Sequence, residues 1–337
     1  MAVSIKDVAR MTGLSPSTVS RVINKKGNIS GATTERVMEA VQELGYVPNN
    51  VARSLKSRKT RTVGVIIPDI SETFFSHIIK GVDAVLGEHG YSIVLCDTNE
   101  NPDKEEKLIN VLHESQVDGV VIATVQEGAR LEKIRSLQHL PVVFIDNIPS
   151  MSANFDSVAL DNVRASTLAV DYLLDNGHER IAAIMGKQSE YTGFERYVGF
   201  MRALQNRGVA PDPDLIRFGD FKEASGYQEM MALLESGRAF SAVYIASSKM
   251  TYGAIAALRE KAVRFPEDLS MVGFDVHDEY HLMSPQITTI LQPEREIGVA
   301  AAQLLLKRMD TEGQQVSFRQ RIVLDPLISV KESCRKL

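Results

Sequence analysis

A chain of 337 residues with 44% hydrophobic and 24% charged side chains exceeds one ordinary domain and has the charge content of a soluble protein. No run approaches the roughly twenty apolar residues of a membrane span, and the N-terminus has no apolar signal-peptide region, so a cytoplasmic protein with no membrane partner is expected. Its two cysteines, Cys96 and Cys334, have neither disulfide-framework nor metal spacing, and Cys96 is expected to be buried and inert. The net charge of −5 is unevenly shared: residues 1–61 hold eleven Lys or Arg against four acids, about +7, and the other 276 hold 27 against 39, about −12. A basic head on an acidic chain is expected when only the head meets a polyanion.

The first predicted element runs from Ile5, with Ser4 as N-cap and Asp7 three residues later to reinforce it. Val8 and Met11 are expected to face inward, and Gly13 to end the helix at positive φ. Ser15 then caps a second helix whose first position is Pro16, where a missing N–H costs nothing. That helix is expected to bury Val19, Val22 and Ile23 and to present Ser17, Thr18, Ser20 and Arg21 outward, up to Asn24. A helix-turn-helix lays such a helix in the major groove, where Arg bonds guanine O6 and N7 and hydroxyls bond phosphates or base edges. The alternative is an ordinary helical hairpin with a solvated polar face. A third helix, from Thr33 or Thr34 to Leu44, supplies Val37, Ala40, Val41 and Leu44 to close a three-helix core.

Asn49 to Thr62 is the predicted boundary. Asn50-Val51-Ala52-Arg53-Ser54-Leu55-Lys56 has helix-forming residues but is too short to be stable alone, because isolated helices under about 12 to 15 residues are marginal in water. The runs VARMTGLSPSTVSRVIN, LGYVPN and NVARSLKSRKTRTVGVIIPDI together resemble the lactose repressor and galactose repressor family of bacterial transcription regulators, and the likeness extends over essentially the whole chain. The resemblance implies DNA contacts from Ser4, Ser15, Pro16, Ser17, Thr18, Ser20, Arg21 and Asn24 in the head. It implies further contacts from Asn50, Ala52, Leu55 and Lys56 in a hinge helix, with Leu55 as a minor-groove wedge that exchanges base unstacking for a bent duplex.

From Thr62 short apolar strands alternate with longer amphipathic helices. Strand cores are predicted at Val63–Ile67, Ser92–Cys96, Val120–Ala123 and Val142–Ile145, then at Ile181–Met185, Leu215–Phe218, Ala242–Ala246 and Met271–Phe274. Helices are predicted at about 74–89, 102–115 and 128–137, then 163–176, 193–207, 224–234 and 250–261, and a last one at 293–309. Nearly continuous apolar strands between helices indicate parallel sheets covered on both faces. The expected fold is an all-α helix-turn-helix head (1–48) joined by a hinge helix (49–61) to an α/β two-lobed body of the periplasmic-binding-protein type (62–337), with two doubly wound parallel sheets. Lobe 1 is assigned about 62–160 and 293–326, with Arg321–Leu324 as a returning strand, and lobe 2 about 163–290.

Ligands in such sheets bind beyond the carboxyl ends of the strands. The residues found there are Asp69, Ser71, Phe74, Phe75 and Ser76, then Asp146 and Asn147, Arg196, Ser247 and Ser248, and Asp275. Carboxylates accept paired hydroxyl hydrogens and aromatic rings cover C–H faces, which suits a polyhydroxylated small molecule. By resemblance Asp146, Arg196, Asp275 and Gln292 match effector-contacting positions, and Phe74 and Phe75 match pocket-lining ones. Ser247-Ser248 departs from the Asn-Asp pair common in sugar-responsive members. The alternatives are helix caps for Asp146 and Asp275 and a lobe-internal ion pair for Arg196.

No catalytic constellation appears, and an enzyme is not expected. His277-Asp278-Glu279-Tyr280-His281 is neither HExxH nor HxxEH, and Ile181 stands where a P-loop needs glycine, so no metal and no cofactor other than a small-molecule effector is expected. The expected function is a homodimeric regulator, a repressor of a carbohydrate-utilisation operon, that binds double-stranded palindromic operator DNA and responds to a sugar or sugar derivative. Its rivals are a carbon-catabolite-type regulator with a phosphocarrier protein as corepressor, not favoured because of Arg196 and Asp275, and a nucleobase- or nucleoside-responsive regulator. A solute-binding protein would share the lobes but has no use for a basic helical head.

Overall fold

A computed structural model describes residues 3–24, 27, 29–46, 59–126, 140–149, 155–278, 280–310 and 318–337. The chain divides into two compact units, Met1–Thr60 and Arg61–Leu337. Asn50, Ala52, Leu55 and Lys56, and the helix expected at 128–137, lie outside the described residues.

The head consists of α1 (Ile5–Thr12), α2 (Pro16–Ile23) and α3 (Gly31–Glu43) around Val8, Ala9, Val19, Val22, Val37 and Ala40. One inward assignment is corrected: Met11 is 43% exposed and Thr12 takes its place in the core. The stripe runs i to i+4 from Val8, and Thr12 tolerates burial because its hydroxyl donates to the Val8 carbonyl at 2.8 Å. At the start of α1 Ser4 and Asp7 form the expected capping box, in which the Asp7 carboxylate accepts the Ser4 backbone N–H at 3.0 Å and the Ser4 hydroxyl at 2.7 Å. Helix α3 begins at Gly31, earlier than expected, because Ser30 Oγ accepts the Thr33 N–H.

In the body, β1 (Thr62–Ile67), β2 (Ser92–Asp97), β3 (Gly119–Ile122), β4 (Val142–Ile145), β5 (Asp156–Leu160) and β11 (Arg321–Leu324) form one sheet, in the order β11-β5-β4-β3-β1-β2. The second sheet contains β6 (Ile181–Met185), β7 (Ile216–Phe218), β8 (Ala242–Ile245), β9 (Ser270–Phe274), β10 (Thr288–Leu291) and β12 (Leu327–Ser329), ordered β12-β10-β9-β8-β6-β7. Every pairing is parallel except that of β12 with β10. The order reverses at β1 in one sheet and at β6 in the other, which opens a crevice at the strand ends.

Helices α4 (Thr73–Glu88), α5 (Pro102–Glu114) and α10 (Glu294–Asp310) belong with the first sheet, and α6 (Asn162–Asp175), α7 (Tyr191–Asn206), α8 (Glu223–Glu235) and α9 (Ser248–Glu260) with the second. The chain crosses between lobes after β5, after β10 and again between β11 and β12. The final residues are pinned to the second lobe, where Leu337 N–H donates to the Asn176 carbonyl at 2.8 Å.

No strand was expected at β5, β10 or β12. β5 opens on Asp156, a fully buried carboxylate that breaks the apolar run and is held by Arg308 in a bidentate pair at 2.5 and 2.7 Å. β10 opens on Thr288 and Thr289, both buried with their hydroxyls accepting the Lys331 and Val276 N–H groups.

Helices α4 and α10 approach backbone to backbone. A Cβ on Gly81 would lie 2.2 Å from the Arg295 carbonyl oxygen, and one on Gly298 would lie 2.1 Å from that of Ile78. Gly81→Ala should therefore destabilise the body by about 1–3 kcal/mol in urea unfolding with an unchanged m-value. Wild-type stability in this variant would contradict the close packing.

Candidate functional site

On the head, Ser15 Oγ accepts the Thr18 N–H at 3.1 Å and lies 2.7 Å from Ser17 Oγ and 2.9 Å from Thr18 Oγ1. Pro16 fills the first position of α2. Asn24 Nδ2 donates to the Ser20 carbonyl at 2.6 Å, closing the far end of the helix. Arg21 and Ser17 are exposed, and Ser20 and Thr18 are half-buried beside them. The expected polar face of α2 is therefore a continuous row of hydroxyls and one guanidinium, framed by its own caps.

In the body, a cavity of about 310 Å³ lies between the lobes at the carboxyl ends of the strands. Of the expected ligand residues it is lined by Phe74, Phe75, Asp146, Arg196, Ser247, Asp275 and Gln292. Phe74 and Phe75 meet edge to face with centroids 5.0 Å apart and form the apolar wall. Asp146 directly follows β4 and Asp275 directly follows β9, and both stand in the left-handed region, at φ 58 and 48. That conformation costs a non-glycine residue about 1–2 kcal/mol, though Asp adopts it more readily than most.

Arg196, on α7, is 5% exposed. Its Nε donates to Asn162 Oδ1 at 2.8 Å, its Nη1 to the Ala246 carbonyl at 2.8 Å, and its guanidinium lies 3.6 Å from the centroid of Phe274. The partners are neutral, so the positive charge is fixed in place without being consumed. The Asp275 carboxylate accepts the Gln292 backbone N–H at 3.0 Å and also the Gln292 side-chain amide. It therefore turns away from any helix cap. Gln292 Oε1 is buried and finds no donor among the described residues.

Burial raises the Asp146 carboxyl to about 7, with Arg196 opposing and Glu72, Glu190 and Asp275 adding to the rise. Burial raises Asp275 to about 6, against the pull of the Gln292 hydrogen bonds. Asp69 behaves differently. Although burial opposes it, hydrogen bonds from Lys249 and Ser71 hold its carboxyl at about 2, and it stands outside the cavity lining. Ser247 lines the cavity and also caps α9, accepting the Met250 N–H at 3.4 Å.

Of the groups that join the lobes, Asp69 and Asn147 stand among the strand-end residues the sequence brings into view, whereas the lysines that cross the gap do not. Lys249 Nζ, from the second lobe, reaches Asp69 Oδ2 at 2.7 Å and Glu72 Oε1 at 3.1 Å in the first. Lys222 and Glu100 pair across the same gap at 3.1 Å, and the Tyr191 N–H donates to Asn147 Oδ1 at 3.0 Å. Lys249 directly follows the flagged serines, so its place beyond β8 was visible, but its partner Asp69 lies 180 residues away.

A profile described as bacterial regulatory proteins, lacI family, matches residues 4–49, and one described as periplasmic binding proteins and sugar binding domain of LacI family matches residues 60–325. The chain is 34% identical over 335 residues to the HTH-type transcriptional repressor PurR of Histophilus somni, covering 99% of each. The structure of a transcriptional regulator CelR–cellobiose complex is similar with a TM-score of 0.75 and 32% identity, covering 98% of this chain and 99% of that one. A Lac repressor dimer bound to operator and the anti-inducer ONPF is similar with a TM-score of 0.88 and 26% identity, covering 99% and 100%.

The raised carboxyls make a signed prediction. Both aspartates hold protons more tightly in the folded chain than in the unfolded one, so their own contribution to stability is full below about pH 4 and is lost as pH rises through about 6 to 7. Asp146→Asn removes its share of that fall. The variant should gain roughly 2–4 kcal/mol relative to the wild type between pH 4 and pH 8 in urea titrations. Parallel pH profiles would contradict the assignment.

Proposed function

The chain belongs to the LacI family of bacterial regulatory proteins, and on that premise we propose that it represses a carbohydrate-utilisation operon in response to a neutral sugar or sugar derivative held between the two lobes. It is a DNA-binding transcription regulator whose partners are operator DNA, a small-molecule effector and a second copy of itself. Ile70, Val94 and Leu95 are exposed apolar groups on the first lobe, two of them on the edge strand β2, and they suit coverage by a second copy. Its family consists of transcription regulators, not enzymes. No helix among the described residues is long and apolar enough to cross a membrane, and operator binding puts its work in the cytoplasm.

The observation that carries the ligand class is the pairing of Asp146 and Asp275 around the fixed charge of Arg196, with the unmatched Gln292 Oε1 beside them. These oxygens accept hydroxyl hydrogens, Arg196 donates to a ring or hydroxyl oxygen, and Phe74 and Phe75 cover a C–H face. The lining also includes Glu72, Glu100 and Glu190, while two of its cations are engaged: Lys187 with Glu190 at 3.2 Å and Lys249 with Asp69 and Glu72. A phosphate would meet that excess of acids, so an uncharged ligand fits best. The solved complex of CelR with cellobiose, a sugar, is in keeping with this reading.

The effector would change the lobe angle, and with it the pairing of the two copies and of their hinge segments on the operator. A coupling of about 1–3 kcal/mol would alter operator affinity roughly 5- to 150-fold. Thermal-shift screening of neutral sugars, sugar phosphates and nucleobases, followed by gel shifts on a selected palindromic site, tests the reading. Arg196→Ala should keep operator binding and lose the response to a stabilising sugar. A retained response, or stabilisation by sugar phosphates alone, would overturn it.

A further inference from the structure

His77, Glu294 and His277 come from three distant segments and meet at one point. His77 lies on α4 of the first lobe, Glu294 is the first residue of α10, and His277 follows β9 of the second lobe. Nδ1 of His77, Nε2 of His277 and a carboxylate oxygen of Glu294 all lie within 4.8 Å of one another. His77 Nδ1 contacts Glu294 Oε2, and His277 Nε2 stands 3.0 Å from Oε1. The two rings meet edge to face, with centroids 5.7 Å apart and planes at 86°.

We propose that this cluster is a divalent transition-metal site, best suited to zinc, that joins the two lobes. Two imidazole nitrogens and one carboxylate oxygen are a three-ligand set zinc accepts while leaving a fourth position open to water. Bonds of about 2.0–2.2 Å put tetrahedral ligand atoms roughly 3.3 Å apart, within the span found here. The burial pattern agrees: the Glu294 side chain is 6% exposed, while the His77 and His277 side chains, at 28% and 27%, leave a path for the ion. The start of α10 accounts for an acid, because the helix dipole favours one there, but it does not account for two histidines aimed at the same carboxylate from different lobes. The expectation of no metal arose because His277 was paired with its sequence neighbour His281, which instead stands against the Gln286 amide. The other ligands lie 217 residues apart in sequence and are invisible to any spacing rule.

A bound ion would hold the lobes at one angle. Zinc would then be a second input to the regulator, independent of the ligand class in the cavity, since none of the three residues lines it.

The test uses full-length, tag-free protein stripped with EDTA and titrated with zinc chloride by calorimetry, with thermal unfolding in parallel. One zinc per chain is expected, with a higher unfolding temperature. His77→Gln and His277→Gln should each weaken binding about tenfold or more, and the double variant should abolish it, with circular dichroism checking that the variants fold. Visible absorption of cobalt-loaded wild type gives a reading without any variant: a tetrahedral spectrum without a thiolate band is expected. No binding, equal binding in the double variant, an octahedral spectrum, or a thiolate band assigning the ion to Cys334 would each overturn the proposal.

Discussion

Arg196 is the fixed charge around which the cleft is built. Asn162, Ala246 and Phe274 hold its guanidinium without neutralising it, so it is the one lining cation not paired with a carboxylate among the described residues. Asp146 and Asp275 depend on it, because burial would raise their carboxyls further without that positive charge nearby. The left-handed turns at the ends of β4 and β9, the Gln292 hydrogen bonds and the aromatic wall all arrange the cleft around this charge. Such an arrangement costs stability in the empty protein, and on the proposed function a ligand's hydroxyl groups would return it.

The same cleft is where the lobes are tied together. Lys249 with Asp69 and Glu72, Lys222 with Glu100, and Tyr191 with Asn147 all cross the gap, and Glu294 links His77 to His277. Three chain crossings make the connection a hinge. The lobes are therefore bridged by a few polar contacts beside the cavity, where a bound ligand would compete with them on the proposed mechanism. The rigid pieces on either side are well packed, as the contact of α4 and α10 through Gly81 and Gly298 indicates.

Much of this was legible in the sequence because local rules acted alone. Ser15 and Pro16 announced α2, the apolar strands announced two parallel sheets, and the ends of those strands brought Asp146, Arg196 and Asp275 into view. What escaped depended on distant partners. Asp156 hid β5 until Arg308 neutralised it, Thr12 displaced Met11 through a backbone hydrogen bond, and Asp69 left the cavity lining because Lys249 claims its carboxylate. His277 had its neighbour His281 in sequence but His77 and Glu294 in space.

On the proposed mechanism, polar contacts across the cleft set the operator affinity of the head. Lys249→Met probes this, because it removes a contact with two carboxylates of the first lobe and leaves the sequence of the DNA-binding unit unchanged. Against an operator selected from a random palindromic pool, its specific affinity should shift by about fivefold or more from wild type, with nonspecific DNA binding unchanged. Equal specific affinities for the two proteins would contradict it.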